Sequence, residues 1–252
     1  MLFSDGAFVG AYAKWHDALV AAQNCVGSAA KIANEAQLLL RRDYTNYNNG
    51  APASICTATN ILIDLGGFTF TNEYTGLDLV ADYPAAPYTT TVKITNGTML
   101  MGMIAFIDTQ IFTATEAGEK RFEVTFDAIT IGVSESAGTG GEFWGDLIHT
   151  AWTANASPCG VRTVMTFNDC TIDLSGYTRT DKNMTVFAVA DGNNVLNVDV
   201  RINGGEFITA NLSAIKFYNG DKNDSLIMGN GSDGKLTVLT AKGGNDPIAD
   251  IF

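Results

Sequence analysis

Between Gly132 and Gly160 the chain gathers Glu135, Glu142, Phe143, Trp144, Asp146, His149 and Trp152. Indole faces close to carboxylates and an imidazole have the composition of a sugar subsite. The rings of Trp144 and Trp152 would stack on the apolar face of a pyranose, while Glu142, Asp146 and His149 exchange hydrogen bonds with its hydroxyls. Phe143, Leu147, Ile148 and Trp152 recur at a spacing of roughly three to five residues, which predicts a short helix lying on the body of the protein. The competing reading is that both tryptophans pack this helix down, with His149 as a satisfied neighbour.

Catalysis would require more. A glycosidase needs two carboxylates at a fixed separation, and a lyase needs a base near a cation held by carboxylates. Asp64, Asp127, Asp169 and Asp173 are the available acids; Arg162, Lys182 and Arg201 are the available bases. A predicted corner between Asp169 and Asp173 breaks the even-spacing rule that would aim both at one face, and Asp181 lies farther along. Asp64 and Asp127 read as turn stabilisers that accept backbone N–H groups. No G-x-S-x-G elbow accompanies His16 or His149.

The loop "NGDKNDS" places oxygen donors at Asn219, Asp221 and Asn223, like the opening of a Ca2+ loop. Asp224 stands where such a loop wants Gly, and Asn230 where it wants Glu. A polar turn is the plainer reading, and no other cofactor is expected. The Gly-rich stretch from Gly229 to Lys235 matches no phosphate-binding spacing and reads as a corner.

Short strands must carry these residues. The 252 residues are 46% hydrophobic and 17% charged, with 26 Gly against 5 Pro, a composition suited to an all-β fold with many tight corners. The net charge of −12 opposes a nucleic-acid partner. No run approaches the ~18 apolar residues of a membrane span, and no basic-then-apolar leader is present as written. Cys25, Cys56, Cys159 and Cys170 form no C-x-x-C pair, so a zinc site is not expected. The even count permits three disulfide pairings, although Cys170 lies inside a strand pattern, where a buried free thiol is routine.

Tyr12, Trp15, Leu19 and Ala22 make one apolar helical face over residues 12–24. Ala29 to Leu40 continues either as a second helix or, from Leu38, as a strand. After residue 54 the period is two. Ile61 to Thr71 reads as two apolar strands meeting at a Gly-Gly corner, and equivalent corners fall near Gly97, Ala128, Asp169, Gly204 and Gly234. Their spacing of roughly 30 to 41 residues is the period of a solenoid. Residues 1–54 are therefore expected to form an arm and helical cap, and residues 55–252 one continuous body of about six coils. An antiparallel sandwich, with Asn96-Gly97 as a hairpin turn, is the alternative.

The stretch "NILIDLGGFTFTN", preceded by "AKWHDALVAAQN" and "LLLRRDYT", resembles the cap and opening coil of right-handed parallel β-helices of the pectin-lyase-like superfamily. "MTFNDCTIDLSG" and "VDVRINGGEFITANLSAIKF" are similar to its later coils. The resemblance implies three parallel sheets with an outer groove. Its members include polysaccharide lyases, glycoside hydrolases, phage tailspikes and non-catalytic adhesin modules. The expected function is a non-catalytic interaction or structural module of an extracellular or cell-surface protein, contacting a polysaccharide or cell-surface glycan. A carbohydrate-active enzyme working in the groove, and a subunit of a larger solenoid assembly joined through the C-terminal end, are the alternatives.

Overall fold

The computed structural model describes residues 1–26, 35–46, 53–55, 60–72, 77–80, 88–101, 107–110, 120–134, 146–151, 161–176, 185–189, 197–209, 215–217, 225–241 and 249–251. Strands dominate, with one helix among the described residues. β1 (Leu2–Ser4) and β2 (Ala7–Gly10) form an antiparallel hairpin. Its turn, Asp5-Gly6, has φ of 47° and 80°, the left-handed pair that a two-residue hairpin demands. α1 (Trp15–Val26) follows, and no described helix is long and apolar enough to cross a membrane. Trp15, Leu19 and Ala22 of the expected face are buried, whereas Tyr12 precedes the helix and is partly exposed.

The remaining strands come in successive groups. The first holds β3 (Ala36–Leu39), β4 (Tyr44–Asn46) and β5 (Ala53–Ile55), and the second β6 (Asn60–Asp64), β7 (Thr69–Asn72) and β8 (Leu77–Val80). In the next two the first pair of strands is fused: β9 (Tyr88–Met101) with β10 (Ile107–Gln110), then β11 (Lys120–Val133) with β12 (Asp146–Ala151). The fifth holds β13 (Val161–Asn168), β14 (Thr171–Asp173) and β15 (Thr185–Val189). The sixth is β16 (Asn197–Asn203), β17 (Glu206–Thr209) and β18 (Ile215–Phe217). The last is β19 (Ser225–Gly229), β20 (Val238–Ala241) and β21 (Ala249–Ile251).

Each strand pairs in parallel with its counterpart in the next group. The result is a 14-stranded sheet, mixed because β1 is antiparallel to β2 and β3, and a 7-stranded parallel sheet running from β5 to β21. Parallel pairing starts already at Ala36, so the strand reading of Leu38 holds over a second helix there. Asn96-Gly97 lies within β9, which pairs in parallel with β6, β7 and β11; it is not the hairpin turn of a sandwich.

Register explains the core. Leu38, Ile63, Ile94, Phe126, Phe167 and Ile202 occupy equivalent positions on adjacent strands and are all buried. Phe70, Met99, Ile131, Ile172 and Phe207 form a second buried line beyond the corner. The Phe126 and Phe167 rings stack at 5.1 Å and 7°, and Phe167 meets Phe207 edge-on at 5.6 Å. At the other end Phe70 lies against Trp15 at 4.7 Å and Tyr44 at 5.7 Å, which fastens α1 to the first two groups. Where the lines end, apolar residues emerge: Ile227, Met228, Leu236 and Val238 are all about half exposed or more.

The corners form a column of their own. Gly67, Asn96, Ala128, Asp169, Gly204 and Gly234 all have positive φ, so the second corner sits one residue before the expected Gly97. Backbone hydrogen bonds continue through the bend, as in Gly67 N–H to Asn96 C=O (2.8 Å) and Asp169 N–H to Asn203 C=O (2.9 Å). Gly205 tolerates no side chain: a Cβ there would lie 2.1 Å from the Cys170 carbonyl oxygen.

Two stability predictions follow from this packing. Phe167→Ala removes a ring with neighbours on both sides and should cost about 3–5 kcal/mol in equilibrium urea unfolding. Ala128 holds φ of 50° while exposed, so Ala128→Gly should stabilise the protein by about 1 kcal/mol in the same measurement.

Candidate functional site

Of the expected sugar-contact residues, Asp146 and His149 lie on β12, while Glu142, Trp144 and Trp152 lie outside the described residues. The helix expected across Leu147 and Ile148 is not formed: residues 146–151 are a strand paired in parallel with β10 and β15. Ile148 and Thr150 are β-branched and alternate, which favours extended backbone, and the helical spacing depended on aromatic residues beyond the strand ends.

That strand aligns His149 with two acids that the sequence motifs do not single out. His149 aligns with Asp108 on β10, and Asp108 aligns with Asp78 on β8. On the far side His149 aligns with Ala188. Asp78, Asp108 and His149 thus hold one register position on three adjacent strands, which in a sheet are about 4.8 Å apart. The signal was present in the chain as the recurring triplets Leu77-Asp78-Leu79, Ile107-Asp108-Thr109 and Ile148-His149-Thr150. These triplets lie on the shorter sheet, away from the Gly and Asn corners that mark the repeat of the larger one.

The acids singled out for catalysis are occupied otherwise. Asp64 Oδ1 accepts the Gly66 N–H (2.8 Å) and the Asn96 side-chain amide (3.0 Å), so it acts as the expected turn stabiliser and also ties two groups together. Asp127 forms an ion pair with Lys93 on the neighbouring strand. Asp169 accepts the Ser232 N–H with both oxygens (3.1 and 3.2 Å). Asp173 accepts the N–H and hydroxyl of Ser175. Asp169 and Asp173 therefore serve different turns and do not form a pair. Asn168 and Asn203 follow Asp127 at the same register position, and Asn203 Nδ2 donates to Asn168 Oδ1 at 2.9 Å.

Arg201 is exposed and Arg162 lies on β13, whereas Asp181, Lys182 and the Ca2+ candidates Asn219, Asp221 and Asn223 fall outside the described residues. The stretch from Gly229 to Lys235 is a corner, closed by Gly231 N–H to Lys235 C=O (2.8 Å). It folds back over Gly204, where an added Cβ would lie 2.4 Å from the Gly231 Cα. His16 belongs to α1, and its Nδ1 is buried without a partner among the described residues.

Cys25 and Cys170 are free thiols; Cys56 and Cys159 lie outside the described residues. Cys170 is fully buried beside its corner, with Sγ 3.4 Å from the Asn168 carbonyl oxygen and 3.5 Å from that of Phe126. Burial pushes its thiol from 9.0 up to about 12; the negative charges of Asp127 and Asp169 act in the same direction, against backbone hydrogen bonds that favour the thiolate. The unfolded thiol ionises first as pH rises, so the contribution of Cys170 to stability is complete below about pH 9 and is lost towards about pH 12. The urea midpoint of the wild type should therefore fall more steeply across that window than that of Cys170→Ala. Native Cys170 should also resist iodoacetamide at pH values where unfolded protein is alkylated.

Against known proteins, the chain gives no significant match to a family model, to a curated protein or to a solved structure.

Proposed function

We propose that the chain winds as a right-handed parallel β-helix and serves as a non-catalytic interaction module at the cell surface or outside the cell. Repeated parallel registers over successive groups support the winding, and the strong right-handed preference of parallel crossovers supports its hand. The observation that carries the non-catalytic reading is the employment of Asp64, Asp127, Asp169 and Asp173. Each is bonded to a turn N–H, a hydroxyl or a neighbouring cation in a way that fixes the scaffold. A scaffold held in this way presents its loops rigidly, as binding surfaces require. The contact surface in this reading is the β12 region, with Trp144 and Trp152 on either side of the strand in sequence, Asp146 and His149 on it, and a glycan as the partner.

A second reading, a glycoside hydrolase, is favoured by one observation. Asp78 and Asp108 share a register position on adjacent strands, and strand spacing is close to the roughly 5 Å that separates the carboxyls of retaining glycosidases.

A glycan array followed by product analysis separates the two. The module reading expects saturable binding that Trp144→Ala or Trp152→Ala weakens at least about tenfold, with no new reducing ends and no unsaturated uronide. Release of reducing sugar that stops in both Asp78→Asn and Asp108→Asn would establish the hydrolase instead. Absence of both binding and turnover on a broad panel would remove glycans as the partner.

A further inference from the structure

A cavity of about 320 Å³ lies between α1 and the first parallel strands. Leu38 of β3 and Ile63 and Leu65 from the second group form its apolar floor, each at most 4% exposed. Trp15 and Ala18 of α1 make one wall, both 8% exposed. The lining changes character at the rim, where Lys14, Arg41 and Arg42 stand around the opening.

Those cations have no acidic partner among the described residues. Among the described residues none of the three takes part in an ion pair. The adjacent acid, Asp43, instead accepts the Thr69 N–H at 2.8 Å. In a chain with 15 Lys and Arg against 27 Asp and Glu, three basic residues around one apolar opening make a local field of the opposite sign to the rest. α1 begins at the same rim, so the positive end of its dipole adds to that field. Tyr44, whose hydroxyl accepts the Trp15 N–H at 3.1 Å, supplies a further polar group on the lining.

We propose that this cavity binds an amphipathic monoanion: a medium-length alkyl or aryl carboxylate, its apolar body against the floor and its carboxylate among Lys14, Arg41 and Arg42. An apolar interior with a few convergent polar groups at one end is the usual design of a small-molecule site, and this volume is at the small end of that range. A sugar is a poor match for the floor, whose residues leave its hydroxyls without partners. The two arginines match the planar carboxylate through their forked donors, which a neutral head group cannot exploit. This site is independent of the glycan surface, since α1, β3 and β6 carry none of Trp144, Asp146, His149 and Trp152.

Calorimetric titration of the full chain with decanoate and with 1-decanol at low salt tests the proposal. Saturable one-to-one binding of decanoate is expected, at least about tenfold tighter than 1-decanol and weakened by salt. The double variant Arg41→Gln, Arg42→Gln, which changes only exposed side chains, should lose about tenfold in affinity for decanoate while leaving 1-decanol unchanged. Ala18→Phe should fill the cavity and abolish binding of both. No decanoate binding, equal binding of acid and alcohol, or a double variant that binds decanoate as the wild type does would each overturn the proposal. If Ala18→Phe fails to fold, the arginine variant still decides.

Discussion

Parallel strands stay paired only if the chain can turn between them without falling out of step with its neighbour, and here that turn is made by a left-handed residue at the same level in group after group. Asn96, Ala128, Asp169 and Gly204 align through the registers that flank them, and each has positive φ. The backbone of one corner bonds to the next, so the strands on both sides inherit a common register. Side chains then meet their counterparts above and below, and the lines of buried Ile, Val, Met and Phe result. A parallel sheet has no hairpin to fix its register; the corner column takes over that task.

The two ends of the column are treated differently. At the start, β1 runs antiparallel to β3 and β2 covers β1, so the first parallel strand is not left as a bare template. α1 then covers the apolar cross-section through Trp15, Leu19 and Ala22, held by the contacts of Phe70 with Trp15 and Tyr44. At the other end β19 exposes Ile227 and Met228, and Leu236 and Val238 stand open nearby. The helix does not sit flush on the strands beneath it, and the resulting cavity combines an apolar floor with the basic rim of Lys14, Arg41 and Arg42.

Much of this architecture could be read from the chain because it rests on local chemistry. Gly, Asn and Asp at the bends announce positive φ, alternation announces strands, and Trp15, Leu19 and Ala22 announce a helix face. Ala128 was found only by its spacing, since alanine carries no preference for a left-handed bend. The β12 strand is not legible in the sequence, because six residues are too few for a helical and an alternating period to be told apart when aromatic residues stand just outside. The juxtaposition of Asp78, Asp108 and His149 is a property of register, which depends on insertion lengths as well as on residue type. The employment of Asp169 was equally hidden: its partner, Ser232, is distant in sequence, and nothing local announces the meeting.

The last corner loop reaches back past its immediate neighbour. Ser232 donates to Asp169, and Gly231 lies over Gly204, so one segment touches corners belonging to the fifth and sixth groups. Where groups of strands pair one after another, loss of structure can proceed from one end a group at a time. Here the loop works as a buckle across groups: opening the last group also breaks the Ser232 N–H bonds to Asp169, two groups before it. Fraying there has to break those bonds together with the strand pairing of the last group, which raises its cost.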